Sequence, residues 1–170
     1  MTLLTHPDWK ALIQIAENRS AIQLTPRLEN YLSDLIQRFS TDPHLAEEAM
    51  AMGWLKAVSS AEGERYLRIG DECLLLAGLF PDYLTRRTLT LDYFIRLGRS
   101  AYGAISHHAT DLYGVLSSQF VVLMDVLYYV RDVPPLLPYE AYQRFRATGS
   151  EHAKRVLASH EGIIPFKALR

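Results

Sequence analysis

The segment 112–130 constrains this chain most. Apart from Gly114, Ser117, Ser118, Gln119 and Asp125, every residue in it is apolar, and tyrosines stand near both ends. A helix that is apolar all round has no face to offer water, so it belongs at the centre of a core or in an oligomer interface. Its length alone would permit a membrane span. Asp125 and the Ser-Ser-Gln triplet argue against one, because a bilayer penalises each of them. The spacing therefore predicts a fifth long helix from about Thr110-Asp111 to Arg131-Asp132, buried in protein.

The other predicted helices are amphipathic and clearly punctuated. Trp9, Leu12, Ile13 and Ala16 recur at helical spacing between Asp8 and Asn18. Thr25-Pro26 is a cap followed by proline at the first helical position, where the missing N–H costs nothing. Leu28, Tyr31, Leu32, Leu35, Ile36 and Phe39 then form one stripe, and Asp42-Pro43 repeats the device. A third long helix is expected over 63–78, with Glu64, Arg68 and Glu72 as an exposed charge ladder and Tyr66, Ile69, Cys73 and Ala77 facing inward. Thr90 caps the fourth, whose apolar face is Leu91, Phe94, Ile95, Gly98, Tyr102 and Ile105. Its small residues Gly98, Ala101, Gly103 and Ala104 predict a close helix crossing. Val133-Pro-Pro-Leu-Leu-Pro138 reads as a stiff connector, followed by short helices near 139–147 and 151–160, the second capped by Ser150. The best strand candidate, Ala21-Ile-Gln-Leu24, is short.

The chain has 170 residues, of which 49% are hydrophobic and 22% charged, enough for one core without staples. The expected architecture is a single all-α domain over 1–170, about seven helices with the fourth and fifth at its centre, 133–138 as a connector and 162–170 as a tail.

Charge is balanced overall at -1, but unevenly distributed. Residues 1–85 carry 7 basic and 12 acidic side chains, and residues 86–170 carry 11 and 7. Attraction between the halves of one fold explains this asymmetry, since no basic run exceeds Arg86-Arg87. Nucleic-acid binding through Arg144, Arg146, Lys154 and Arg155 is the weaker alternative. The single cysteine, Cys73, forms no intramolecular disulfide, and the N-terminus has neither a basic start nor an apolar run of signal-peptide type. A reducing cytoplasm is the expected location.

Candidate chemistry is sparse. There is no Walker motif, dinucleotide fingerprint or Gly-x-Ser-x-Gly, and no Glu is followed three residues later by His as a di-iron carboxylate bundle requires. No cofactor is therefore expected. His107, His108 and Asp111 offer two imidazoles and a carboxylate to a divalent metal. Adjacent histidines point about 100° apart on a helix, however, so polar junction residues are the competing reading. Asp71 lies between Leu67 and Leu74, away from the charge ladder. A carboxylate there needs a partner. Either Arg96 or Arg99 reaches it as a structural pair, or Asp71, Arg86, Arg87, Arg96 and Arg99 line a pocket for a small anion. Asp125 poses the same question, with Tyr128 and Tyr129 one turn on.

Gly70-Asp71, Ala77-Gly-Leu-Phe-Pro81, Arg86-Arg87, Asp92-Tyr93 and Gly98-Arg-Ser-Ala-Tyr102 resemble a group of bacterial helical proteins without assigned function. The resemblance covers residues 65–105 and implies a bacterial cytoplasmic source. It carries no catalytic residue. Two functional expectations follow from the whole reading. The first is a non-enzymatic interaction or regulatory protein, homodimeric, with a protein partner. The second is a small-molecule or metal-binding protein, or an enzyme, with a polar pocket between the third and fourth long helices.

Overall fold

Eight helices and no strand make up the described part of the chain, which in this computed structural model is residues 8–41, 62–82 and 90–160. They are α1 (Trp9–Ser20), α2 (Pro26–Thr41), α3 (Glu62–Leu79), α4 (Leu91–Ile105), α5 (Leu112–Ser118), α6 (Phe120–Val130), α7 (Pro138–Thr148) and α8 (Glu151–Ser159). The helix expected after Asp42-Pro43, the pair Arg86 and Arg87, and the 162–170 tail lie outside the described residues.

Local chemistry sets the boundaries. Asp8 accepts from the Ala11 amide, Thr90 from Tyr93, Asp111 from Gly114 and Ser150 from Ala153, so four helices begin on a side-chain cap. Ala21 (φ 52°) ends α1 in the left-handed region, and Gly149 (φ 69°) ends α7 there. The short strand candidate at Ala21–Leu24 is instead the α1–α2 loop. It is held by Glu17, whose Oε1 accepts from the Leu24 amide at 2.5 Å.

The apolar fifth helix is two helices. α5 and α6 meet at Gln119 and are bent by 78°. The polar triplet makes the break. Ser118 Oγ donates to the Val115 carbonyl at 3.1 Å, and Ser117 Oγ leaves its own helix for the Arg99 carbonyl at 2.8 Å. Phe120, Leu123, Met124, Val126 and Leu127 of α6 are wholly buried. No single helix among the described residues is long and apolar enough to cross a membrane, and the α5–α6 pair reaches that length only across its bend.

The apolar α6 is central, packed against α1, α3 and α4, and α3 joins it there. α3 is buried continuously from Ile69 to Leu79, because α4 packs on one side of it and α6 on another. Glu72, expected on an exposed ladder, is 1% exposed, and its Oε1 takes the Arg68 Nε at 2.9 Å. Glycines allow these close approaches. A Cβ on Gly98 would lie 2.4 Å from the Phe120 ring, one on Gly70 2.6 Å from Tyr102, and one on Gly78 2.5 Å from Leu127 Cβ. Gly98 and Ala101 are in the crossing, whereas Gly103 and Ala104 face outward.

A second, smaller core joins Leu136, Ala141, Ala153 and Leu157 beneath the α7–α8 hairpin. The connector before it is pinned by Arg19. That guanidinium donates to the carbonyls of Tyr129 and Arg131 at 3.4 and 3.2 Å, and also to that of Val133. It thereby satisfies the Tyr129 carbonyl in the last turn of α6 and ties the chain that follows to α1.

Candidate functional site

Polar side chains converge at three places, and the first is Asp71. Its carboxylate is 6% exposed and joins three helices. Tyr31 of α2 donates to Oδ1 at 2.5 Å, Tyr102 of α4 to the same oxygen at 2.8 Å, and Arg38 of α2 to Oδ2 at 3.2 Å. The two tyrosine rings meet edge to face at 6.5 Å. Burial raises the Asp71 carboxyl above its ordinary value despite these donors, and raises both phenols. Glu72 beside it is also raised by burial, with Arg68 opposing, and the Cys73 thiol is pushed up to about 12.

The expected arginines are elsewhere. Arg96 pairs with Asp92 on an exposed face of its own helix (Nε–Oδ2 2.9 Å), and Arg99 is exposed. The helical step explains this. Gly98, Ala101 and Tyr102 point inward, so positions 96 and 99 fall on other faces. The cation at Asp71 is Arg38 of α2, 33 residues earlier in the chain.

The second place is the α4–α5 junction. Asp111 Oδ2 accepts the main-chain amides of His107 and His108 at 2.7 and 3.0 Å, while Oδ1 accepts the Gly114 amide at 2.7 Å and Ser106 Oγ at 3.0 Å. These donors hold its carboxyl well below the usual carboxylate range. The two histidines therefore meet Asp111 through their backbones, and their rings are not part of the arrangement. No group of three or more His, Cys, Asp and Glu side chains that could hold a metal occurs among the described residues.

The third place is the base of the C-terminal hairpin. Asp125 on α6 is 2% exposed and takes Arg144 Nε of α7 at 2.8 Å and Ser150 Oγ at 2.6 Å. Arg144 also stacks over the Tyr128 ring, 4.8 Å from its centre. One turn along α6, the Tyr129 hydroxyl lies 2.9 Å from His152 Nε2 of α8. Burial lowers the His152 value, opposed by Asp125. An open cleft of about 370 Å³ adjoins this cluster, bounded by Ala21–Gln23, Val122, Asp125, Glu151, His152 and Arg155. Of the four basic residues considered for nucleic acid, Arg144 is buried on Asp125 and Arg155 donates to the Ala21 carbonyl at 2.8 Å.

The partners Tyr31, Arg38, Arg144 and His152 carry no motif, and Ser150 shows in the sequence only as a helix cap. The usable signal was a carboxylate on an apolar helix face, at Asp71 and at Asp125, which marks a joint without naming the other side.

No family model, curated protein or solved structure matches this chain. The functional reading accordingly rests on its own residues.

Proposed function

We propose that this is a non-enzymatic interaction protein of the bacterial cytoplasm that works as a homodimer. The observation behind the reading is the corner that opens α7. Leu137 and Tyr139 are 63% and 69% exposed, unusually bare for large apolar side chains. The corner is also stiff. Pro138 occupies the first turn of α7, Glu140 Oε2 accepts the Leu137 amide at 2.8 Å, and Arg19 holds the preceding chain at Val133. A preorganised aromatic and aliphatic pair loses little entropy on binding, which suits it to anchor a partner. The apolar α6 does not contribute to this surface, because it is buried in its own fold.

Sedimentation velocity across the micromolar range tests the reading. The wild type is expected to sediment as a dimer and Leu137→Glu/Tyr139→Glu as a folded monomer. A wild-type monomer throughout that range would refute it.

The cleft beside His152 favours a second reading, a small-molecule-binding protein. Its volume of about 370 Å³ lies within the range of ordinary ligand sites. On this reading the ligand lies between the α1–α2 loop and α8. Asp71, enclosed between α2, α3 and α4, is not part of that site. A thermal-shift screen with anionic and aromatic compounds separates the two readings. A ligand-dependent rise in Tm lost in Arg155→Ala supports the second, and no shift with any compound removes it.

A further inference from the structure

We propose that His152 latches the α7–α8 hairpin to the helical body and that its protonation releases the hairpin in mild acid. The hairpin is a separate unit in packing. Its small core is distinct from the main one, with Tyr128 of α6 packed against both, and the chain enters the hairpin through the proline-rich connector. Buried polar links attach it to α6: Arg144 and Ser150 on Asp125, and His152 on Tyr129. Such links are sensitive to charge in a way that apolar contact is not.

The Tyr129–His152 link depends on a neutral ring. In the tautomer with its proton on Nδ1, the ring takes the Tyr129 hydroxyl proton at Nε2 across 2.9 Å, with the Leu136 backbone beside that hydroxyl. A protonated ring makes Nε2 a donor as well. The hydroxyl proton then faces a donor instead of an acceptor, between side chains that are 3% and 6% exposed. The charged groups around the ring do not offset this. Asp125 of α6 favours an imidazolium, but it is already held by Arg144 and Ser150. Arg144 of α7 and Arg155 of α8 oppose the added charge. Glu151 of α8 lines the cleft beside the ring, and the Ser20 backbone of α1 hydrogen-bonds the ring and favours its protonated form, but burial outweighs it. His152 itself is 6% exposed, so burial adds to the penalty.

The sign follows. A histidine whose folded value is lowered supports the docked state above its ordinary value of about 6.5, and that support is lost as pH falls toward the folded value. Within this window the open-to-docked ratio of the hairpin rises by up to about tenfold per pH unit, the full proton linkage of one group.

Hydrogen exchange of the full chain at about pH 7.5 and about pH 5.5, on either side of the ordinary histidine value, reads this ratio once corrected for intrinsic exchange rates. In the wild type, α7 and α8 are expected to lose protection in acid while α3 and α4 keep theirs. In His152→Gln the acid effect on the hairpin is expected to vanish. NMR titration of the wild-type His152 ring, which needs no variant, is expected to give a midpoint below the ordinary value. The latch is refuted by hairpin protection that does not change with pH, by loss of protection in hairpin and body together, by an undiminished acid effect in His152→Gln, or by a ring midpoint at or above the ordinary value.

Discussion

Asp71 shows what a single buried residue does in this protein. Its position between Leu67 and Leu74 identified a carboxylate that needed partners. The partners themselves were not legible, because Tyr31 and Arg38 lie 40 and 33 residues earlier in the chain. Tyr31 was readable as part of an apolar stripe. The direction of its hydroxyl depends on how α2 crosses α3, which no local pattern encodes. Titration behaviour follows from the same burial. Asp71, Glu72 and Glu17 are all raised by loss of solvent. A carboxyl with a raised folded value contributes stability below its unfolded value, and loses that contribution as pH rises through the folded one. Their effect is opposite in sign to that of His152. Glu72 provides the clean test, because its Oε2 has no hydrogen-bond partner among the described residues. Glu72→Gln is expected to flatten the fall in unfolding free energy as pH rises from the ordinary glutamate value of 4.5 toward neutrality, measured by urea titration at a series of pH values. An unchanged slope would contradict the assignment.

Helix existence was legible here and helix environment less so. Thr90 and Ser150, read as caps in the sequence, both start helices, because a side-chain acceptor three residues before a free amide is a local event. The break at Gln119 falls on the Ser-Ser-Gln triplet, whose polarity in the sequence speaks against a membrane span without marking a bend. Whether serines bend a helix depends on the carbonyls they find, and Ser117 finds one on α4. The Glu64–Arg68–Glu72 ladder misled for a similar reason. Spacing defines a face, and whether that face meets water depends on how many neighbours surround α3. The glycines of the crossings make a firm prediction at this scale. Gly98→Ala drives a Cβ to 2.4 Å from the Phe120 ring and 2.9 Å from Cys73 Cβ. The expected cost is about 1–3 kcal/mol of overpacking. Gly63→Ala, with nothing within 4 Å, is expected to leave stability unchanged or slightly higher. Chemical denaturation of the two variants decides it, and equal stabilities would contradict the close crossing.

The whole molecule repeats one device at its joints. Asp71 joins α2, α3 and α4; Asp125 joins α6, α7 and α8; Arg19 ties α1 to the chain leaving α6; and Asp111 fixes the turn from α4 to α5. Apolar stripes bring helices together but tolerate sliding and rotation. A buried carboxylate with two or three fixed donors is satisfied in one register. The all-helical fold class was therefore readable from periodicity, while the registers depended on partners far apart in sequence. On this account the buried charges hold the helices and the exposed Leu137–Tyr139 corner meets other molecules. Residues kept for binding or catalysis often leave a protein as stable or more stable when they are removed, whereas fasteners do not. The most direct test is therefore the unfolding free energy of Asp71→Ala and Asp125→Ala. The account predicts a loss of about 3 kcal/mol or more in each, since each strands buried donors. Variants as stable as the wild type, or more stable, would contradict it.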